Sequence, residues 1–220
     1  MARLPALIDT LSTHDARGRP TIEHIARLVR EAGFIQTTKR GRGAAEMTEA
    51  DAAALLIGLN AIEMPTDAAR QVSIFRDLTI QKATPIASGP VPAELEPLVQ
   101  ARTFREALET LITAVPFLEQ LRRKSTAALL QTLGASLVDL DISANEGFAL
   151  AVSFYLPGPS ARILVRWTDT RNGSNGFQQQ FGPKEMKKQK WSQDRSDRSV
   201  VVTFGINTLM DVHKTLWPDS

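Results

Sequence analysis

Apolar residues recur at helical spacing through the first 133 residues of the chain. Ile22, Ile25, Ala26, Val29 and Ala32 keep the i, i+3, i+4, i+7 spacing of a helix that buries one face. The same pattern predicts further helices over residues 4–11, 48–62, 67–78, 103–115 and 117–133. The stretch 50–62 is apolar almost all round, which is typical of a helix at the centre of a core or in a dimer interface. Thr21, Thr48 and Thr66 are the expected N-caps.

The period of the pattern changes to two beyond residue 136. Alternating or β-branched segments over 137–142, 148–156, 163–167, 177–181 and 199–206 predict an antiparallel sheet of four or five strands. A final helix over 207–216 should pack its apolar side onto that sheet. The expected fold class is therefore α+β: an N-terminal all-helical domain, a helical segment, and a C-terminal, mainly antiparallel sheet with a final helix.

A cluster of prolines interrupts the helical part of the chain. Pro85, Pro90, Pro92 and Pro97 fall within fifteen residues, and proline interrupts both helices and central strands. We therefore expect a helical domain over 1–82, a linker over 83–98 and an α+β domain over 99–220.

The composition of the chain excludes several kinds of catalytic and metal site. The chain has no cysteine, which excludes disulfides, thiol catalysis and cysteine-ligated zinc. Its three histidines have no metal-site spacing, and no P-loop, GxGxxG or GxSxG motif is present, so we expect neither a cofactor nor a metal. Without an apolar run of membrane-spanning length, no membrane association is expected and the chain should be cytoplasmic, in a bacterium or a phage-infected cell.

Charge is concentrated around the second predicted helix. Residues 17–43 contain seven arginines and lysines against two glutamates. Residues 44–160 are acidic overall, with eight basic and fourteen acidic side chains, and residues 161–220 are basic again. A basic unit of this kind favours an anionic partner, with ordinary surface charge as the alternative.

Arg17-Gly18-Arg19-Pro20 resembles the core of an AT-hook. In that motif an extended chain inserts two arginines into the narrow minor groove of A·T-rich DNA. The resemblance implies minor-groove contacts by Arg17 and Arg19. The alternative is a basic loop that leads into the helix.

The order of helix, REAGFI turn and basic loop 39–43 resembles helix-turn-helix and winged-helix DNA-binding regulators of bacterial or prophage type, over residues 4–62. The gap from Gly33 to Thr48 is far longer than the usual turn, so the pattern does not select the recognition helix. The resemblance implies that Arg27 and Arg30 reach a groove and that His24 and Gln36 add hydrogen bonds. It also implies phosphate contacts by a set of side chains in the loop: Thr37, Thr38, Lys39, Arg40 and Arg42. The alternative for Arg27 and Arg30 is a solvated face paired with Glu23 and Glu31.

The function expected from the sequence is a sequence-specific, double-stranded DNA-binding protein, a transcriptional regulator acting as a homodimer or higher homo-oligomer. The helix 50–62 or the α+β domain would dimerise it. One alternative is a phage DNA-packaging or assembly component that oligomerises and grips DNA without regulating genes. In another, the sheet binds a protein or small ligand and controls DNA binding. An enzyme using Asp139 and Asp141 is the least favoured alternative.

The basic cluster 184–198 around Trp191 is either a second nucleic-acid contact or a solvated loop.

Overall fold

Helices cover one face of an antiparallel sheet in the computed structural model, which describes residues 3–36, 46–86, 89–133, 147–169, 173–184 and 200–218. The helices within these ranges are α1 (Leu4–Ser12), α2 (Arg19–Glu31), α3 (Glu49–Asn60), α4 (Ala68–Arg76), α5 (Glu96–Gln100), α6 (Phe104–Thr113), α7 (Val115–Leu133) and α8 (Ile206–Leu216). The strands are β1 (Thr79–Pro85), β2 (Phe148–Leu156), β3 (Ser160–Asp169), β4 (Gly173–Gly182) and β5 (Val200–Gly205). The mixed α+β class predicted from the sequence is confirmed.

The five strands lie in the order β1-β4-β3-β2-β5, and every neighbouring pair is antiparallel. Inward-facing residues of β2, such as Val152 and Phe154, are fully buried, while their neighbours Ala151 and Tyr155 are half-buried on the other face. The alternating pattern in the sequence therefore located β2, β3, β4 and β5. The predicted strand over 137–142 lies outside the described residues.

Phe154 joins the sheet to the helices. Its ring centroid lies 5.4 Å from that of Phe104 in α6, 5.7 Å from that of Phe75 in α4 and 6.0 Å from that of Phe204 in β5. Aromatic pairs at these separations are favourable beyond the area they bury. One hydrophobic core therefore contains residues from both predicted domains.

The predicted linker over 83–98 is wrong. Residues 83–85 complete the edge strand β1, which pairs with β4, and residues 93–100 form a short 3-10 turn followed by α5. Prolines are compatible with both arrangements, because an edge strand tolerates a missing N–H and the first turn of a helix has unpaired N–H groups in any case. Pro85 ends β1, and Pro97 lies in the first turn of α5.

Helix α3 forms the centre of the helical layer. Its residues from Asp51 to Leu59 are buried, with Ala54 half-buried, so its apolar circumference is used inside one chain. The prediction of a dimer interface at 50–62 is therefore wrong, and the alternative prediction of a central core helix is confirmed. Thr48 is the N-cap of α3 as expected. Thr21 and Thr66 are not caps, because α2 begins two residues before Thr21 and Thr66 lies within a 3-10 turn.

Candidate nucleic-acid interface

Helix α2 is fixed against α3 by close packing. Its buried face, which includes Ile22, Ile25 and Val29, is fully inaccessible to solvent. Gly58 of α3 leaves the space for this approach, since a Cβ built there would lie 2.8 Å from Cγ2 of Val29. The opposite face of α2 therefore has a defined orientation. It carries most of the helical residues that the sequence analysis selected: Arg19, His24, Arg27 and Arg30.

Arg19 is engaged within the chain. Its Nε donates to Oε1 of Glu23 at 2.7 Å, and its guanidinium also pairs with Asp9 of α1. The hydrogen bond to Glu23 and the charge of Asp9 raise the pKa of Arg19, which is a fully charged side chain in any case. A phosphate would have to compete with two carboxylates for this side chain.

Arg17 is held more tightly. Its Nε lies 2.9 Å from Oδ1 of Asp15, and a terminal amino group donates to the backbone carbonyl of Leu59 at 2.6 Å. Burial of Asp15 raises its pKa, but hydrogen bonds from the side chain and backbone of Arg17 outweigh that effect and hold the pKa below its usual value. Arg17 thus ties the α1–α2 connection to the end of α3.

The tetrapeptide 17–20 does not have the extended conformation of an AT-hook. Arg19 and Pro20 are the first two residues of α2, and Gly18 precedes them as its N-cap with φ of 81°. Proline is favoured in the first turn of a helix, which explains why the chain turns into α2 here instead of remaining extended. Minor-groove insertion by Arg17 and Arg19 would require this turn to unfold.

Arg27 and Arg30 are exposed, one turn apart. Arg27 has weak internal partners, with Nε 3.9 Å from Oε1 of Glu31 and a terminal amino group 3.1 Å from Nδ1 of His24. Arg30 has no ion-pair partner among the described residues. These two arginines are therefore the most available cations on α2.

The two residues Gln36 and Thr48, on either side of the predicted basic loop, both bond to one buried carboxylate. Oδ1 of Asp51 accepts the backbone N–H of Gln36 at 2.9 Å, and Oδ2 accepts the backbone N–H and the hydroxyl of Thr48, both at 2.9 Å. Asp51 is only 2% exposed. Gln36 itself is exposed. The remaining predicted contacts lie outside the described residues: Thr37, Thr38, Lys39, Arg40 and Arg42.

A second basic surface was not predicted. We define the open face as the outward-facing side chains of the five strands, opposite the face that the described helices cover. The backbone register places one residue from each strand in a single row across this face: Lys82, Gln180, Arg162, Ser153 and Thr203. Every member of this row is polar, and Ser153 within it is buried, with only 1% of its surface exposed.

Arg162 lies near the middle of the open face, with its guanidinium carbon 5.7 Å from the ring centroid of Tyr155. Arg166 follows on the same side of β3 and is exposed. No aspartate or glutamate occupies an outward position of the described strands, whose outward residues are Thr79, Lys82, Thr84, Ala149, Ala151, Ser153, Tyr155, Ser160, Arg162, Leu164, Arg166, Thr168, Ser174, Gly176, Gln178, Gln180, Gly182, Val201, Thr203 and Gly205. Buried and outward residues alternate along β3, and this alternation puts Arg162, Leu164 and Arg166 on one side of the strand. The part of the basic surface that β3 provides could have been predicted from that pattern.

Other polar features show no assembled catalytic group. A groove of about 830 Å³ runs between the α1–α2 connection and the start of α8. His14 at this groove has its Nε2 2.9 Å from Oδ2 of Asp211, which links the connection to α8. No group of three or more histidine, aspartate or glutamate side chains that could hold a metal occurs among the described residues. Asp139 and Asp141 lie outside them.

Comparison of the chain with protein-family models, with curated proteins and with solved structures finds no match. Within the described ranges, no helix has both the length and the apolar character that crossing a bilayer requires.

Proposed function

We propose that the chain is a double-stranded DNA-binding protein that uses the exposed face of α2 and the basic loop that follows it. The observation that carries this proposal is the placement of Arg27 and Arg30 on a rigidly packed helix, next to a loop whose two ends are held by Asp51. Exposed arginines on a helix can enter a major groove, and a basic loop beside it can contact phosphates.

The internal ion pairs divide the roles of the four arginines of the α1–α2 region. Arg17 and Arg19 are bound to carboxylates and fix the start of α2. Arg27 and Arg30 remain for contacts with bases or phosphates. Lys39, Arg40 and Arg42 supply further positive charge in the loop. DNA affinity should therefore depend mainly on the second half of α2 and on the loop.

The more specific form of the proposal is a sequence-specific transcriptional regulator that acts as a homodimer, since two copies are needed to read a symmetric site. Helix α3 is buried within one chain, so a dimer would use another surface. Native mass spectrometry of the full chain tests this form. A dimer is the expected result, and a ring of many copies would overturn it.

A salt-titrated anisotropy measurement on a labelled duplex tests DNA binding. The expected result for the variant Lys39→Gln/Arg40→Gln/Arg42→Gln is a loss of affinity of about tenfold or more at low salt. Because each lost phosphate contact lowers the salt slope by about 0.9, the slope should fall by up to about 3. The matched control is Arg102→Gln/Arg105→Gln/Arg123→Gln, which removes the same charge from exposed residues before or on α6 and α7. Equal losses in both variants would contradict a localised site.

Arg27→Gln/Arg30→Gln tests the helix separately. If these side chains read bases, selection of fragments from genomic DNA should lose its sequence preference, while weaker binding to random duplex persists. Unchanged affinity and unchanged selectivity would exclude α2 as the contact element and leave Arg27 as a solvated partner of Glu31 and His24.

A further inference from the structure

The open face collects positive charge from segments far apart in the sequence. Lys82 comes from β1, and Arg162 and Arg166 come from β3. The polar row from Lys82 to Thr203 crosses all five strands and is about 19 Å long, since neighbouring strands lie about 4.8 Å apart. No carboxylate lies at an outward position of the described strands to compensate these cations.

Arg162 is half-buried and carries a charge that no carboxylate among the described residues pairs with. Its guanidinium lies over the ring of Tyr155, and the described residues give it neither an ion pair nor a hydrogen bond. Its Nε is buried without a partner, so the terminal amino groups are the ones that can reach an acceptor. A guanidinium carbon 5.7 Å from a ring centroid is within cation–π range, and the planar fork of an arginine suits a phosphate.

The neighbouring side chains add a different chemistry. Gln178 and Gln180 of β4 lie beside β3 on the same face, opposite Leu164 and Arg162. Their amides both donate and accept hydrogen bonds, as the edges of unpaired bases do. Tyr155 offers an aromatic ring on which a base can stack.

We propose that the open face binds single-stranded nucleic acid, independently of the duplex-binding surface on α2. Lys82, Arg162 and Arg166 contact phosphates, and the two glutamines hydrogen-bond to base edges. Tyr155, with Arg162, forms a stacking position. A single strand fits this arrangement better than a duplex, because only unpaired bases can splay onto a flat sheet and reach a ring and amides there.

The test uses the full chain and fluorescein-labelled 20-nucleotide strands of mixed sequence, as DNA and as RNA, in an anisotropy titration over several salt concentrations. The variant is Lys82→Gln/Arg162→Gln/Arg166→Gln. Its affinity should fall at least about tenfold, and its salt slope should fall by about 2, because a contact to a single strand contributes about 0.7. The control Arg102→Gln/Arg105→Gln/Arg123→Gln removes equal charge and should stay within about twofold of the unmodified chain.

Substitutions of Tyr155 test whether the open face binds nucleic acid specifically or binds any polyanion. Tyr155→Leu should weaken binding roughly tenfold, while Tyr155→Phe, which keeps the ring, should retain most of the affinity. Heparin serves as the polyanion without bases, and its binding should be insensitive to Tyr155→Leu. If this variant binds strands normally, or if heparin loses affinity equally, the stacking position is wrong and the proposal fails.

Two further variants distinguish a loss of strand binding at the open face from unfolding and from a loss of duplex binding. Lys82→Gln/Arg166→Gln changes only exposed side chains, so a loss of binding with an unchanged melting temperature assigns the effect to the surface and not to unfolding. The loop variant Lys39→Gln/Arg40→Gln/Arg42→Gln should lose duplex binding but not strand binding. Absence of strand binding by the unmodified chain at low salt would overturn the inference and leave the duplex proposal intact.

Discussion

Helix α2 and the open face are both basic, but they differ in how their charge is compensated. On α2, Arg19 pairs with Glu23 and Arg27 lies near Glu31, each at i, i+4 spacing. On the open face, Arg162 and Arg166 have no carboxylate at an outward position of the described strands. A stretch of sequence with a large charge excess can therefore present less free charge than a surface assembled from distant strands.

Local geometry explains this difference. Residues four apart on a helix are neighbours, so a mixed-charge helix tends to pair its own side chains. Across a sheet, the neighbours of a residue come from other strands, and β1 and β3 are about eighty residues apart in this chain. Removal of acidic residues near α2 should therefore change duplex binding and leave strand binding at the open face nearly unchanged.

The largest effect is expected at Asp51. Asp51→Asn places amide hydrogens against the donors of Gln36 or Thr48 in a site that is 2% exposed, so the free energy of unfolding should fall by about 1–3 kcal/mol. The two ends of the basic loop would also be less constrained, and duplex affinity should drop severalfold while strand binding on the open face is unchanged. Urea unfolding and anisotropy measure the two effects.

The control for Asp51 is Asp77→Asn, which changes an exposed carboxylate whose Oδ1 lies 3.7 Å from Nε of Arg76. Its effect on unfolding should stay within about 0.5 kcal/mol. If Asp51→Asn weakened strand binding as much as duplex binding, the assignment of the loop to duplex DNA alone would be contradicted.

A smaller effect, of the opposite sign, is expected when the acidic partners on α2 are removed. Glu23→Gln/Glu31→Gln frees Arg19 and Arg27 and adds two units of positive charge, so duplex affinity at low salt should rise about three- to tenfold. Strand binding at the open face should change little. Glu94→Gln/Glu96→Gln alters the net charge equally at exposed sites outside α2. An equal gain in that control would show that net charge, not the freed arginines, is responsible.

The smallest effect is expected at Asp15. Because Arg17 holds the pKa of Asp15 below its usual value, the pair stabilises the fold above pH 4 or so, and this contribution disappears as the pH falls through the lowered pKa. Asp15→Asn should therefore lower the unfolding free energy at pH 7 by up to about 1 kcal/mol, and have little effect near pH 2. DNA affinity should stay nearly constant, since Arg17 keeps its hydrogen bond to the backbone carbonyl of Leu59. Thermal unfolding across pH shows the convergence, and a pH-independent difference would contradict it.

The period of apolar residues predicted most of the fold, because each helix or strand that buries one face shows that face in its own sequence. It located α2, α6, α7 and the strands β2, β3, β4 and β5. It missed β1, whose sequence TIQKATP has no apolar alternation because β1 is a half-exposed edge strand.

The open face could not be predicted from the period of apolar residues alone. Lys82, Arg162 and Thr203 become neighbours only through the register of five strands, and a single sequence does not encode register in any short window. The ion pairs on α2, in contrast, follow from i, i+4 spacing. Pairing with Glu23 and Glu31 was accordingly one of the two predictions made for Arg27 and Arg30. Whether these two arginines contact DNA stays a prediction.

The contact of Phe154 with Phe75 and Phe104 has a consequence for mapping either binding surface. A fragment ending at residue 82 would cut β1 and expose the core side of α4, so its loss of binding would reflect unfolding. Helices and sheet should instead melt as one cooperative unit. A duplex bound at α2 and a strand bound at the open face would then each raise the same melting temperature, by an amount that grows with the logarithm of ligand concentration over its dissociation constant.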